Sequence, residues 1–183
     1  HNFFNFTQTC LKKNILEGYH DRSDGGLVTS LIEMAFASNK SINFTHQCKT
    51  NNKLYKFLFN EELGAVFAIN KTKIKIFNNL CKKYNIDKHT YHLGQIRYNE
   101  NPTLKIKQLG YLCKISALRK CWSELSYLIQ SKRDAHKIAL SEYKEKQKLH
   151  LNISKHREPH ISFSKNKLKK RFDIMKTKPK IAI

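Results

Sequence analysis

Acidic residues are scarce in this chain: 14 Asp and Glu stand against 35 Lys and Arg, a formal charge of +21 over 183 residues. No apolar run approaches the ~20 residues that a membrane-spanning helix needs. The opening His1-Asn2-Phe3-Phe4-Asn5 lacks a basic stretch followed by a long apolar one, which argues against a secretory leader. Cysteine is sparse and scattered. Cys10, Cys48, Cys81, Cys113 and Cys121 are odd in number and form no Cys-x-x-Cys pair, the usage of a reduced, cytoplasmic protein without a zinc site. The close histidine pair, His89-x-x-His92, falls in a strand-like run with no cysteine pair nearby, so its members read as ordinary sheet positions. No nucleophile-plus-base set and no internal repeat is visible.

What the chain has in excess is positive charge, which by itself suggests a nucleic-acid or acidic-membrane partner. The lysines, however, are spread along the chain. Lysine, asparagine and isoleucine are abundant together, and lysine outnumbers arginine, as AT-rich coding produces. Only Lys165 to Lys180 concentrates the charge. A single-strand-binding surface needs a localised basic face with interleaved aromatics. The reading adopted is no specific nucleic-acid partner and no membrane partner. A basic nucleic-acid-binding protein, and a decayed remnant that keeps its fold without a task, stay open as alternatives.

The length suffices for one domain with a real core. The start at His1 and the end inside an apolar run read as cut ends. Along the chain, Thr7 to Leu16 reads as a helix closed by Gly18, and Tyr19 to Arg22 as a short extended piece. Gly26 to Ala37 is a helix apolar on most faces, capped by Ser23 and Asp24. Ser41–Thr45 alternates like a strand, Leu54–Phe59 is a helical turn, and Gly64–Ile69 is a compact apolar strand. Ile74, Phe77, Cys81 and Tyr84 fall at helical spacing. Thr90–Ile96, Thr103–Gln108 and Tyr111–Ile115 read as strands. One long helix is expected from Ser116 to Lys146, with Leu118, Trp122, Leu125 and Ile129 as its core stripe. The interleaving predicts an α/β (α+β) fold with helices layered on one mixed sheet.

Three blocks carry candidate chemistry. The first is His20-Asp21-Arg22-Ser23-Asp24-Gly25-Gly26-Leu27, an acidic turn opening onto a helix. A carboxylate suits Mg²⁺. A hydroxyl and backbone N–H groups at a helix start suit phosphate oxygens. Asp21 and Ser23, two apart in an extended piece, share a face. The plain alternative is that Ser23 and Asp24 merely cap the helix. The second block is Asn60-Glu61-Glu62-Leu63-Gly64, where Glu61 or Glu62 meets a ligand or is simply solvated. The third is the polar stripe Arg119, Ser126, Gln130 and Arg133 on the long helix, either a phosphate grip or an exposed face.

These blocks, with Trp122-x-Glu124-x-Ser126-x-x-Ile129-Gln130-x-x-Arg133-Asp134 as the third and Lys178-Pro179-Lys180-Ile181-Ala182-Ile183 at the end, resemble phosphoribosylformylglycinamidine synthases, large single-chain purine-pathway enzymes. The resemblance covers nearly the whole chain. It implies the C-terminal part of an aminoimidazole-ribonucleotide-synthetase-like module over residues 1–146, a basic linker over 147–178, and the start of a truncated glutaminase domain at 179–183. The implied cofactors are ATP and Mg²⁺, with Asp21 on the metal and Ser23 on the nucleotide. The implied partners are formylglycinamide ribonucleotide, the missing synthetase half and the glutaminase. In the implied reaction ATP activates the formylglycinamide oxygen as an iminophosphate, and glutamine-derived ammonia displaces the phosphate. One Asp and one Ser do not make a phosphoryl-transfer site, so the chain alone is expected to be inactive, with no catalytic residue of its own. The sequence departs from the family at Ala135-His136, where the relatives have Asn-Pro, which puts the end of the long helix in doubt.

Overall fold

The computed structural model describes residues 1–148. The helices are α1 (Asn2–Lys12), α2 (Gly26–Ser38), α3 (Asn51–Phe59), α4 (Ile74–Lys83), α5 (Ile115–Arg133) and α6 (His136–Lys148). The strands are β1 (Leu16–Asp21), β2 (Ser41–Phe44), β3 (Ala65–Ile69), β4 (Gly94–Arg97), β5 (Thr103–Ile106) and β6 (Tyr111–Lys114). The class is α+β, with helices on a mixed sheet: β4-β2-β5-β6, in which β2 runs parallel to β5 and the other pairs are antiparallel. A second, two-stranded antiparallel ribbon joins β1 to β3.

Two apolar clusters follow from the strand period. On the four-stranded sheet, Ile42 and Phe44 face Leu104 and Ile106 across the parallel pair and meet Leu27, Leu31 and Ala35 of α2 and Leu54 and Leu58 of α3. On the ribbon, Val66 joins that core while its neighbour Phe67 points the other way, as alternation requires. Phe67 meets Phe6 and Cys10 of α1 and Phe77, Leu80 and Cys81 of α4. The Phe6 and Phe77 rings sit edge to face at 5.3 Å.

Several boundaries differ from expectation for identifiable reasons. The first helix begins at Asn2 and ends at Lys12, because its buried pair Phe6 and Cys10 starts the i, i+4 stripe earlier and Asn14 turns the chain at φ 50°. Leu16 and Gly18 therefore belong to β1, not to the helix or its stop. α3 gains a turn because Thr50 caps it, its hydroxyl accepting from Lys53 N at 3.3 Å. β4 starts only at Gly94, and a 3-10 turn covers Asp87–His89, so His89 and His92 are not sheet positions.

The long helix is two helices. Asp134 is extended (φ −105°, ψ 174°), and α6 folds back along α5. The Tyr127 and Tyr143 rings stack at 4.5 Å, Gln130 donates to Glu142 at 2.9 Å, and Gln147 donates to Ser123 at 2.9 Å. The turn thus forms without the family's proline. The expected core stripe is also displaced. α5 buries Ile115, Arg119 and Ser123; Leu118 is packed on the core, but Trp122, Leu125 and Ile129 are 60%, 67% and 59% exposed. The expected linker from residue 149 onward and the apolar end 179–183 lie outside the described residues.

Candidate functional site at the start of α2

The ribbon delivers Asp21 to one end of the fold. Asp21, the last residue of β1, pairs with Ala65, the first of β3, and beyond it Arg22 N donates to the Gly64 carbonyl at 2.8 Å. The chain then turns through Ser23 and Asp24 into α2. The cap differs from expectation. Gly25 is the N-cap, in the left-handed region at φ 81°, and no side chain of the turn caps the helix. Its N–H donates instead to Glu61 Oε1 at 2.8 Å, and Gly26 N donates to the Ser23 carbonyl at 2.9 Å. A carboxylate at the positive end of a helix is favourable. The first two blocks, 36 residues apart, are therefore one place.

Asp21 and Ser23 are both exposed. Asp21 is held from several sides. Tyr19, two residues back on the same strand face, donates its hydroxyl to Asp21 Oδ1. The Asp21 carbonyl accepts from Ser30 Oγ at 3.1 Å and lies 2.6 Å from His20 Nδ1, whose ring is held at the other end by Glu33 at 3.1 Å. Burial, then the hydrogen bond and charge of Asp21, pushes the Tyr19 hydroxyl up to about 12. Arg22 lies over Gly64, where a Cβ would meet its Nη2 at 3.0 Å, and its Nε is buried without a protein partner. From the sequence neither Tyr19 nor Ser30 has an assigned role, although the two-residue period of a strand links Tyr19 to Asp21.

A strongly basic chain thus places Asp21, Asp24 and Glu61 at one turn, with Glu33 tied to its edge through His20. No group of three side chains among the described residues makes a complete metal cage. The donor set suits a partial Mg²⁺ site, since that ion is held by one or two carboxylates and completes its shell with water and substrate phosphate. Asp21 has an oxygen to offer; Glu61 is engaged with Gly25. Ser23, two residues on in the chain, offers an exposed hydroxyl.

The third block lies elsewhere. Arg119 is buried, donating Nη2 to the Phe36 carbonyl at 2.7 Å and to Asn39 Oδ1 at 3.0 Å, with its guanidinium over the Phe36 ring. This is the far end of α2, ~20 Å from the acidic turn at 1.5 Å per residue. Arg133 is exposed and pairs with Asp134 at 3.0 Å. The two arginines do not form one open grip.

The fold is an α+β domain in which the turn into α2 carries exposed Asp21 and Ser23 and is tied to Glu61. The description "AIR synthase related protein, C-terminal domain" matches residues 1–107, and the chain belongs to that family. It is 31% identical over 185 residues to phosphoribosylformylglycinamidine synthase of Saccharomyces cerevisiae, a match covering 94% of this chain and 13% of the relative. It is 33% identical over 147 residues to the protein of the same name from Dictyostelium discoideum, covering 70% of this chain and 11% of the relative. The chain thus spans about an eighth of the length of these relatives. No helix among the described residues is long and apolar enough to cross a membrane.

Proposed function

We propose that this chain is one segment of the synthetase module of a phosphoribosylformylglycinamidine synthase. The whole enzyme converts formylglycinamide ribonucleotide to formylglycinamidine ribonucleotide in purine biosynthesis, with glutamine as nitrogen donor. Bound ATP would supply the phosphoryl group and Mg²⁺ would neutralise its phosphates. Asp21 holds the metal and Ser23 hydrogen-bonds the nucleotide; Tyr19 and Ser30 fix Asp21, and Glu61 fixes the turn. The observation that carries this reading is the bond from Gly25 N to Glu61, which gathers the first two family-like blocks around an exposed carboxylate and hydroxyl.

Phosphoryl transfer needs several such parts at once, so the chain alone is inactive. The test supplies the purified chain with the remaining synthetase part and ammonia and follows amidine formation and ATP turnover. Turnover is expected only in the mixture. Asp21→Asn should lower it at least ~10-fold, the loss seen when even a supporting contact of a metal site is removed, whereas Asp134→Asn should leave it within a factor of two or so. ATP turnover by the chain alone, or an undiminished Asp21→Asn mixture, refutes the assignment.

A further inference from the structure

α5 leaves an apolar face bare. Leu125, Leu128 and Ile129 lie along one side of the helix and are 67%, 50% and 59% exposed; Trp122 borders them, 60% exposed with its ring tilted against Phe36 of α2 at 5.6 Å. Other faces are occupied, by α2 through Arg119 and by α6 through Tyr127 and Gln130. We propose that this face is the seat of another segment of the full-length synthase, one presenting an apolar groove; the inference rests on the chain working as part of that larger protein.

Three observations select this occupant. The patch is on the order of 400 Å², the size of a functional patch on a monomer. That is about half of the ~800 Å² per partner that a stable dimer uses, which disfavours a second copy. A tethered neighbour needs less area, because its effective concentration is high. The relatives provide such a neighbour: the Saccharomyces cerevisiae protein matches 94% of this chain with only 13% of its own length. Finally, a notch of about 300 Å³ lined by Ser126, Ile129, Gln130 and Arg133 adjoins the face and gives it the polar rim that interfaces have.

Trp122 is the single tryptophan of the chain, so 5-fluorotryptophan labelling gives one ¹⁹F line. The 183-residue chain should sediment as a monomer, with that line showing a clear H₂O/D₂O solvent shift. Adding the Saccharomyces cerevisiae synthase lacking its matching segment should move the line and abolish the solvent shift. Leu125→Asp/Ile129→Asp should weaken this binding at least ~10-fold, with the circular dichroism unchanged, while Phe4→Asp on α1 should bind normally. The proposal is overturned if the line is solvent-protected in the chain alone. Concentration dependence would then identify a second copy as the occupant, and its absence residues 149–183. It is overturned equally if the line does not move on mixing, or if the double variant binds as well as the parent. A mixture that turns over while the line stays unmoved sinks the docking and leaves the proposed function standing. A complex formed through this face whose turnover is indifferent to Asp21→Asn does the reverse.

Discussion

Gly26 is where backbone geometry, packing and the candidate site meet, and replacing it by alanine tests all three. Gly26 sits at φ +74°, a region that costs an L residue about 1–2 kcal/mol. A Cβ there would also lie 2.6 Å from the Phe59 carbonyl carbon, 2.8 Å from Phe59 Cα and 2.9 Å from the Leu58 carbonyl oxygen. These are backbone atoms, so no side-chain rotation relieves the contact. The end of α3 must move, and with it the Asn60–Gly64 block that reaches Gly25 through Glu61. An overpacking cost of about 1–3 kcal/mol adds to the dihedral cost, for a total of about 3 kcal/mol. Gly110 provides the control: it has φ +62° but nothing within 4 Å of a would-be Cβ. Gly110→Ala should therefore cost only the dihedral term, about 1–2 kcal/mol. In urea, with a slope of about 2 kcal/mol/M, the midpoints should fall by ~1.5 M for Gly26→Ala and by less than ~1 M for Gly110→Ala. Equal shifts would refute the claim that α2 and α3 close on each other at Gly26.

Arg119→Ala should destabilise the fold by about 2–3 kcal/mol, since it removes a charged donor from two acceptors at the end of α2. Arg119→Lys should recover less than half, because a lysine lacks the planar guanidinium that lies over the Phe36 ring; a urea midpoint unchanged by Arg119→Ala would contradict this. Thiol mapping should find exposed Cys121 labelled first at pH 8, with Cys10 and Cys81 silent until the chain unfolds. Burial raises both of those thiols, Cys10 from its ordinary 9.0 to about 11 with help from Cys81. The folded-state pKa of Cys10 is raised, so the stability gained by keeping it neutral is full below pH 9.0 and is lost as the pH climbs through about 11. The alkaline decline of the parent should weaken in Cys10→Ala once its lower starting stability is subtracted; identical pH slopes would reject the effect.

Local pattern made much of this fold readable. The apolar run from Gly26 to Ala37 is α2 to within a residue, and Ser41–Thr45 and Gly64–Ile69 are strands with slightly shorter limits. What failed was inference from pattern to neighbour. The spacing of Leu118, Trp122, Leu125 and Ile129 correctly says that they share a helix face. Periodicity cannot say whether a face meets anything: Leu118 packs on the core and Trp122 on Phe36, while Leu125 and Ile129 stay exposed. Arg119 was misjudged for the converse reason: its long side chain reaches acceptors 80 and 83 residues away in sequence. The break at Asp134 depends on α6 finding α5 through Tyr143, Glu142 and Gln147, none of which marks a turn locally. At the site, the strand end at Asp21 and the turn into α2 were legible because a strand end, a hydroxyl and two glycines adjoin. The capping role of Glu61 was not, since it arises from a contact across 36 residues.

The two ends of α2 suggest why all three blocks matter although only two lie at the acidic turn. A helix held only by apolar packing can slide or rotate between nearly equivalent arrangements, because the hydrophobic effect is non-directional. Directional bonds remove that freedom. At its start α2 is pinned by Gly25 N to Glu61 and by Ser30 Oγ to the Asp21 carbonyl. At its end Arg119 grips the Phe36 carbonyl and the cap residue Asn39. The Asp21 bond fixes the strand end to the first turn of the helix, and the Arg119 bonds set the rotation of the last. On the proposed reading, Arg119 is a positioning residue for a turn ~20 Å away. Loss of its guanidinium should loosen the register of α2 rather than remove a ligand contact. In a reconstituted enzyme that predicts a raised KM for Mg²⁺-nucleotide, with partial rescue by Arg119→Lys. Asp21→Asn, which on the proposed reading weakens a metal ligand, should lower turnover even with Arg119 intact.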